Sequence, residues 1–366
     1  MREKPDYFFI GLVWVIVVFG LVMLSSASSA VAFNKFGDNY WYLKHQLFFG
    51  LLPGILAFLF FLKIDYRKLK KFALPLLVIS IALLLLVFIP GLGVSYGRAR
   101  NWINIFGMSL QPAEIVKLTF LIYLAAWLGE KNGTKQMGDA SSSFIPFVSI
   151  FGLIVFLIAA QPDIGTLSII IVMALSVYFA AGAPFSHMGI IGAGGAVMFF
   201  TLIKIAPYRA ARLMTFLNPG LDPQGVGYHI NQALLAVGSG GLFGLGLGLS
   251  RQKFQYLPEV AGDSIFAIIS EELGFIFAAG LIVAFIFLAL RGYRIAKTAH
   301  DGFGRLLAVG ITSWFVFQAF INIGAMLGLM PLTGVPLPFV SYGGTAMTIG
   351  LAAMGMMGSV SKYCKS

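Results

Sequence analysis

Asp263 stands where a polar stretch, LPEVAGD, gives way to the apolar run SIFAIISEELGF. A carboxylate at the mouth of an apolar helix has two uses. It can cap the helix by accepting from its first free amides. It can also serve as a general base, because an apolar boundary raises the proton affinity of a carboxylate. One oxygen can do both at different moments. Glu259 precedes it by four residues, and Glu271 and Glu272 follow by eight and nine, about 12–13 Å further along a helix axis. At roughly 100° per residue neither glutamate lies directly beneath Asp263. Ionisable groups at such depth face a protein interior and pair there, and Lys117 is the expected partner. Glu114 and Lys117 are three residues apart on one helix face, so they can pair locally or help bind an anionic substrate. Arg98, Arg100, Arg209, Arg212, Arg251 and Lys253 form a further set. Arginine's planar fork suits phosphate or pyrophosphate oxygens, and the competing use of such cations is contact with lipid headgroups.

These groups need elements to hold them, and composition says what kind. Of 366 residues, 59% are hydrophobic and 11% charged, with a mean hydropathy of +0.90, which excludes an ordinary soluble domain. Apolar runs long enough to cross a bilayer recur near 8–28, 46–62, 72–92, 112–128, 144–160, 164–182, 187–206, 264–290, 306–329 and 344–360. The expected fold is therefore an all-α polytopic membrane protein of about ten transmembrane helices, one domain over 1–366. The first run has the basic tip and small residues of a signal peptide but is long enough to remain as a spanning helix.

Most of the 25 Lys and Arg, including Lys63, Arg67, Lys68, Lys70, Lys71, Arg291, Arg294 and Lys297, then fall on the side of the termini. The positive-inside rule makes that side the cytoplasm and puts Asp263 outside. The net charge of +11 reads as a girdle facing anionic membrane lipids, so no nucleic acid is implied. Cys364 is the single cysteine, and disulfides play no part.

Two outer stretches are longer than connections need to be, 93–111 and the loop 207–263 between helices seven and eight. The Gly-rich GSGGLFGLGLGLS lacks the Gly-Lys-Ser/Thr ending of a nucleotide loop and follows no strand, so it reads as close backbone packing. The scattered histidines have no metal-site spacing. PLTGVPLPFVSYGGTA reads as an ordered break lining a cavity.

Five stretches together resemble one family: GRARNWINIFGMSLQPAEIVKL (97–118), QPDIGT (161–166), YRAARLMTFLNPGLDPQGVGYHINQAL (208–234), QKFQYLPEVAGDSIFAIISEELGF (252–275) and NIGAMLGLMPLTGVPLPFVSYGGTA (322–346). The chain resembles the SEDS proteins (FtsW, RodA, SpoVE), and its Leu-Pro-Glu segment resembles FtsW and SpoVE most. The resemblance implies a ten-helix enzyme of the bacterial cytoplasmic membrane, both termini cytoplasmic, that polymerises lipid II into peptidoglycan on the outer leaflet. It implies that Asp263 is the essential carboxylate, that Glu259 is the loop glutamate, and that a class B penicillin-binding protein is the partner. Ala261-Gly262 stand where the family commonly has His-Thr, Ser264 where an aromatic is usual, His229 where glutamine is frequent and Ala346 where serine is frequent.

On that reading Asp263 is the base of an inverting glycosyl transfer. The outer cations, with or without a divalent ion (Mg or Mn), stabilise the departing pyrophosphate. The alternatives are a lipid II flippase and a non-catalytic division or elongation scaffold.

Overall fold

The computed structural model describes residues 4–96, 99–105, 108–131, 133–205, 214–216 and 225–364. Arg98, Arg209 and Arg212 lie outside the described residues. The chain runs α1 (Tyr7–Ala27), α2 (Ser29–Phe36), α3 (Trp41–Gln46), which continues through a π-turn into α4 (Leu52–Lys63), and α5 (Ala73–Leu86). After a small sheet come α6 (Pro112–Lys131), α7 (Ile145–Ala159), α8 (Ile164–Ala180), α9 (Phe185–Ile205), α10 (Val226–Ser239), α11 (Ile265–Thr298), α12 (Gly302–Met326) and α13 (Gly344–Ser361).

Among the described residues seven helices are long and apolar enough to cross a membrane. Together with α8, α9 and α13, these rods correspond in order to the ten expected spans. The protein is a multi-pass helical membrane protein.

The α6 and α12 segments are the most enclosed, and they bury Lys117, Phe120 and Trp314 between them and their neighbours. Backbone segments approach closely where glycine allows it. A Cβ on Gly20 of α1 would stand 2.3 Å from the Phe339 carbonyl oxygen, a use of small residues typical of membrane bundles. The chain ends share one face, where the Asp6 amide donates to Ser361 Oγ at 3.0 Å. Since α13 starts beside residues 261–263 and ends at Ser361, Asp263 lies on the opposite face.

Two features depart from an uninterrupted all-α bundle. The stretch 93–111 forms a three-stranded antiparallel sheet: β1 (Gly93–Tyr96), β2 (Ala99–Ile105) and β3 (Met108–Leu110). Its period-2 signal lies in β2, where Asn101 and Ile103 are buried on one face and Asn104 is exposed on the other.

The eighth span, expected as one run, is broken at Gly274, with φ 77° and ψ −174°. The break frees backbone groups that lipid cannot satisfy, and the Gly-rich run supplies their partners. The Glu271 and Glu272 carbonyls accept from the amides of Leu245 (2.9 Å) and Gly246 (2.9 Å). The amides of Phe275 and Ile276 donate to the carbonyls of Gly241 (2.9 Å) and Leu242 (3.3 Å).

The fit leaves no room for a side chain, because a Cβ on Gly274 would stand 2.3 Å from the Gly244 nitrogen. Its dihedrals also belong to a region that only glycine occupies cheaply. Gly274→Ala is expected to cost about 3 kcal/mol, read as a lower thermal midpoint and yield of monodisperse protein in detergent. Gly280→Ala, whose Cβ meets nothing within 4 Å, should leave both unchanged.

Candidate active site

The segment 257–264 is a string of turns that ends at α11. Glu259 has φ 50°, and its carbonyl accepts from the amides of both Gly262 (2.8 Å) and Ser264 (3.2 Å). That extra turn moves the helix start one residue on. Asp263 is therefore not the cap, contrary to the capping expectation: Ser264 holds the cap position, and no side-chain capping bond is made there. Ser264 Oγ donates instead to the Pro258 carbonyl at 2.7 Å and lies 2.6 Å from His229 Nε2. With the one hydroxyl hydrogen committed to a carbonyl, the histidine nitrogen is the donor.

Three successive carbonyls around the half-buried Asp263 are gripped from later parts of the chain. The Tyr342 amide donates to Ala261 O at 2.8 Å. Ser341 Oγ donates to Gly262 O at 2.6 Å, and Asn322 Nδ2 donates to Asp263 O at 2.7 Å. The loop between α12 and α13 thus lies directly against the carboxylate, and a Cβ on Gly334 would stand 3.9 Å from Asp263 Oδ2. The QPDIGT turn closes on the same loop, since a Cβ on Gly165 would stand 2.7 Å from Thr333 O.

In that turn Asp163 caps α8, accepting from the Thr166 amide (3.0 Å) and hydroxyl (2.9 Å). It also takes donors from Asn101 (2.7 Å) and Gln111 (3.3 Å), which ties the sheet and the start of α6 to α8.

Beneath this face Lys117 is fully buried. Its Nζ lies 2.7 Å from Glu114, 3.1 Å from Gln318 Oε1 and over the Trp314 ring. Gln318 in turn donates to Pro336 O at 2.8 Å, linking the pair to the same loop. A cavity of about 20 Å³ lined by Glu114, Gln318, Pro336 and Ser341 lies among these groups.

The expected pairing of Glu271 and Glu272 with Lys117 is corrected by this geometry. Lys117 belongs to Glu114 and Gln318, and the cation of Glu272 is Lys253, at 2.9 Å. Lys253 was grouped with the outer cations for an anionic ligand. It is 2% exposed, and its ammonium also donates to Gly248 O (2.6 Å) and Ser26 Oγ (3.4 Å). Three acceptors meet its three N–H groups, so it acts as an internal counter-ion rather than a free phosphate ligand. Glu271 holds the same loop through Ser250 Oγ and the Arg251 amide (2.9 Å).

Arg100 gives one donor to Ile89 O at 3.0 Å. Arg251 is exposed beside an open groove lined by Phe254 and Tyr256.

The sequence reading singled out Asp263, Glu259 and the Glu114–Lys117 pair; the structure places Asp263 and the pair around the loop between α12 and α13, with Glu259 in the turn that leads to Asp263. It passed over Asp163, Gln318, Asn322 and Ser341. Asp163 carried a signal, an Asp-x-x-Thr pattern ahead of an apolar run. The other three are single polar residues in apolar or loop context, whose partners are set only by the fold.

Fold and site together define a polytopic membrane protein with a carboxylate carried on a clamped backbone at the face opposite its termini. The family model for FtsW, RodA and SpoVE, described as cell cycle proteins, matches residues 7–366. Stage V sporulation protein E of Bacillus subtilis is 42% identical over 100% of this chain and 99% of that protein. A probable peptidoglycan glycosyltransferase FtsW of Trichlorobacter lovleyi is 40% identical over 95% of this chain and 90% of its own length.

Among solved structures, one on the coordination of polymerization and crosslinking by a peptidoglycan synthase complex contains a similar chain. The TM-score is 0.81 at 26% identity, covering 98% of this chain and 97% of that one. The rod shape determining protein RodA of Thermus thermophilus matches with a TM-score of 0.71 at 27% identity, covering 98% and 96%. The chain belongs to the FtsW, RodA and SpoVE family.

Proposed function

We propose that the chain is a peptidoglycan glycosyltransferase that polymerises lipid II on the outer face of the bacterial cytoplasmic membrane, with Asp263 as general base. The observation that carries this reading is the grip on residues 261–263, which fixes three successive carbonyls up to and including that of Asp263. A base must be held in one geometry to act at one hydroxyl. Asp263 takes the proton from the acceptor sugar's 4-hydroxyl as that oxygen bonds to the donor's anomeric carbon. The bond from that carbon to the pyrophosphate breaks with inversion, and its electron pair leaves with undecaprenyl pyrophosphate. Arg100, with Arg98, Arg209 and Arg212, supplies charge to the leaving group.

Mg²⁺ is commonly held by one or two carboxylates plus substrate phosphates. Glu259 and Asp263, the two carboxylates of one turn in which Glu259 O accepts from the Gly262 amide at 2.8 Å, are the residues that would hold such an ion. A bound divalent ion would add charge stabilisation at the pyrophosphate.

Both termini are cytoplasmic on this reading. The basic residues Lys63, Arg67, Lys68 and Arg291 lie at their face, and Arg291 Nε reaches Asp6 at 3.6 Å. The transpeptidase partner is a class B penicillin-binding protein. A flippase would make use of the break at Gly274, as broken helices hold transported substrates. Here the carbonyls of Glu271 and Glu272 and the amides of Phe275 and Ile276 are taken by the chain's own glycine-rich run, which disfavours a substrate site at the break.

The test is incubation of labelled lipid II with the purified protein and its transpeptidase partner. Glycan strands are the expected product. Movement of label across a vesicle bilayer without strands would instead establish transport.

A further inference from the structure

We infer that Asn322 is a positioning residue for the reaction, the pin that sets Asp263 relative to the loop between α12 and α13. This rests on the reading of Asp263 as the base. Asn322 lies in the last part of α12 and is 1% exposed. Its carboxamide nitrogen donates both hydrogens, to Asp263 O at 2.7 Å and to Val335 O at 2.8 Å. Both partners are carbonyl oxygens, which accept only, so the orientation of the amide is fixed.

One rigid helix thus holds two separate loops by a single group, one of them carrying the base. The other, through Gly334, lies against its carboxylate. Asn322 Oδ1 receives no donor among the described residues. A buried acceptor left unmet is costly, so the side chain is retained for its two donors and not for a balanced network of its own. Tyr342 and Ser341 hold residues 261 and 262, whereas Asn322 is the side chain that takes the carbonyl of residue 263 itself. Its loss lets the peptide carrying the base rotate while the rest of the grip stays in place.

The test compares wild type with Asn322→Leu, of similar volume and without donors, and with Asn322→Asp. Each is purified in detergent and assayed with the transpeptidase partner on labelled lipid II at equal folded amount. A misplaced base costs turnover, so Asn322→Leu should lower kcat about 10²-fold with KM within about threefold, because the 1% exposed Asn322 offers no surface of its own to a substrate.

In Asn322→Asp the new carboxylate repels both carbonyls at neutral pH and regains one O–H donor when protonated. The ratio of its rate to that of wild type should therefore rise as pH falls. A flat ratio, or a rate that falls only with the folded fraction, overturns the inference. If Asn322→Leu does not fold, the pH ratio of Asn322→Asp decides alone.

An arm independent of activity separates this inference from the proposed function. Amide hydrogen exchange over 260–264 should quicken about tenfold or more in either variant relative to exchange in the rest of the bundle. If wild type makes no strands, the proposed function fails while exchange still decides the pin. Unchanged exchange over 260–264 overturns it.

Discussion

Wild-type protein is expected to turn labelled lipid II into strands, and Asp263→Asn to do so 10²–10⁴-fold more slowly at equal folded amount. The size follows from removing a general base while keeping its shape. The separation of chemistry from folding follows from the site's construction. The three described clamps from later in the chain use main-chain oxygens, those of residues 261, 262 and 263. None of the three bonds depends on the side chain being replaced. The helix start is likewise unaffected, because the cap position belongs to Ser264 and makes no side-chain capping bond. A lowered rate with an unchanged thermal midpoint is the expected pair of measurements. Near-normal turnover would show that the base is another group.

The second large effect is on stability. Lys253→Met leaves Glu272, 0% exposed, without its cation, and Glu272→Gln leaves the 2% exposed Lys253 with only neutral acceptors. Breaking one side of a buried pair costs about 3–5 kcal/mol, and either single variant should show it as a much lower midpoint in thermal or denaturant unfolding. The double variant Lys253→Met with Glu272→Gln removes both charges and should recover most of the loss. The coupling between the two sites is the diagnostic quantity. The pair also holds together three separate parts of the chain, because Ser26 of α1 donates to Glu272 Oε2 at 2.6 Å and Lys253 also reaches Gly248 O. If the two single effects simply add, the pair contributes nothing as a pair.

The spans were legible because bilayer thickness forces length and hydropathy together. Even the close packing of GSGGLFGLGLGLS could be read from its composition. Where that run packs could not, since the break at Gly274 shows only as one glycine in an apolar helix and its partners lie some thirty residues earlier. The sheet at 93–110 was overlooked because a short period-2 stretch, ARNWINI, sits among runs whose apolar signal dominates. At the site, Asp263 declared itself as a charge at an apolar boundary, and Glu114–Lys117 as an i,i+3 pair. The partner of Glu272 was misassigned to Lys117 because sequence gives depth along a helix but not which cation the fold folds back. Lys253 returns from the loop into the interior, a path that no local pattern encodes. Asn322 and Ser341 were passed over for a related reason. Their importance lies in carbonyls that belong to other segments, and a backbone oxygen leaves no trace in residue identity.

The grip on residues 261–263 also has a direction in time. All three donors, Asn322, Ser341 and Tyr342, lie downstream of the segment they hold, so a nascent chain exposes the loop that carries Asp263 before the ribosome has made these three donors. On the reading of Asp263 as the base, competence is therefore acquired late in biogenesis, and a translation product that stops short of Asn322 is expected to hold the whole loop and make no strands.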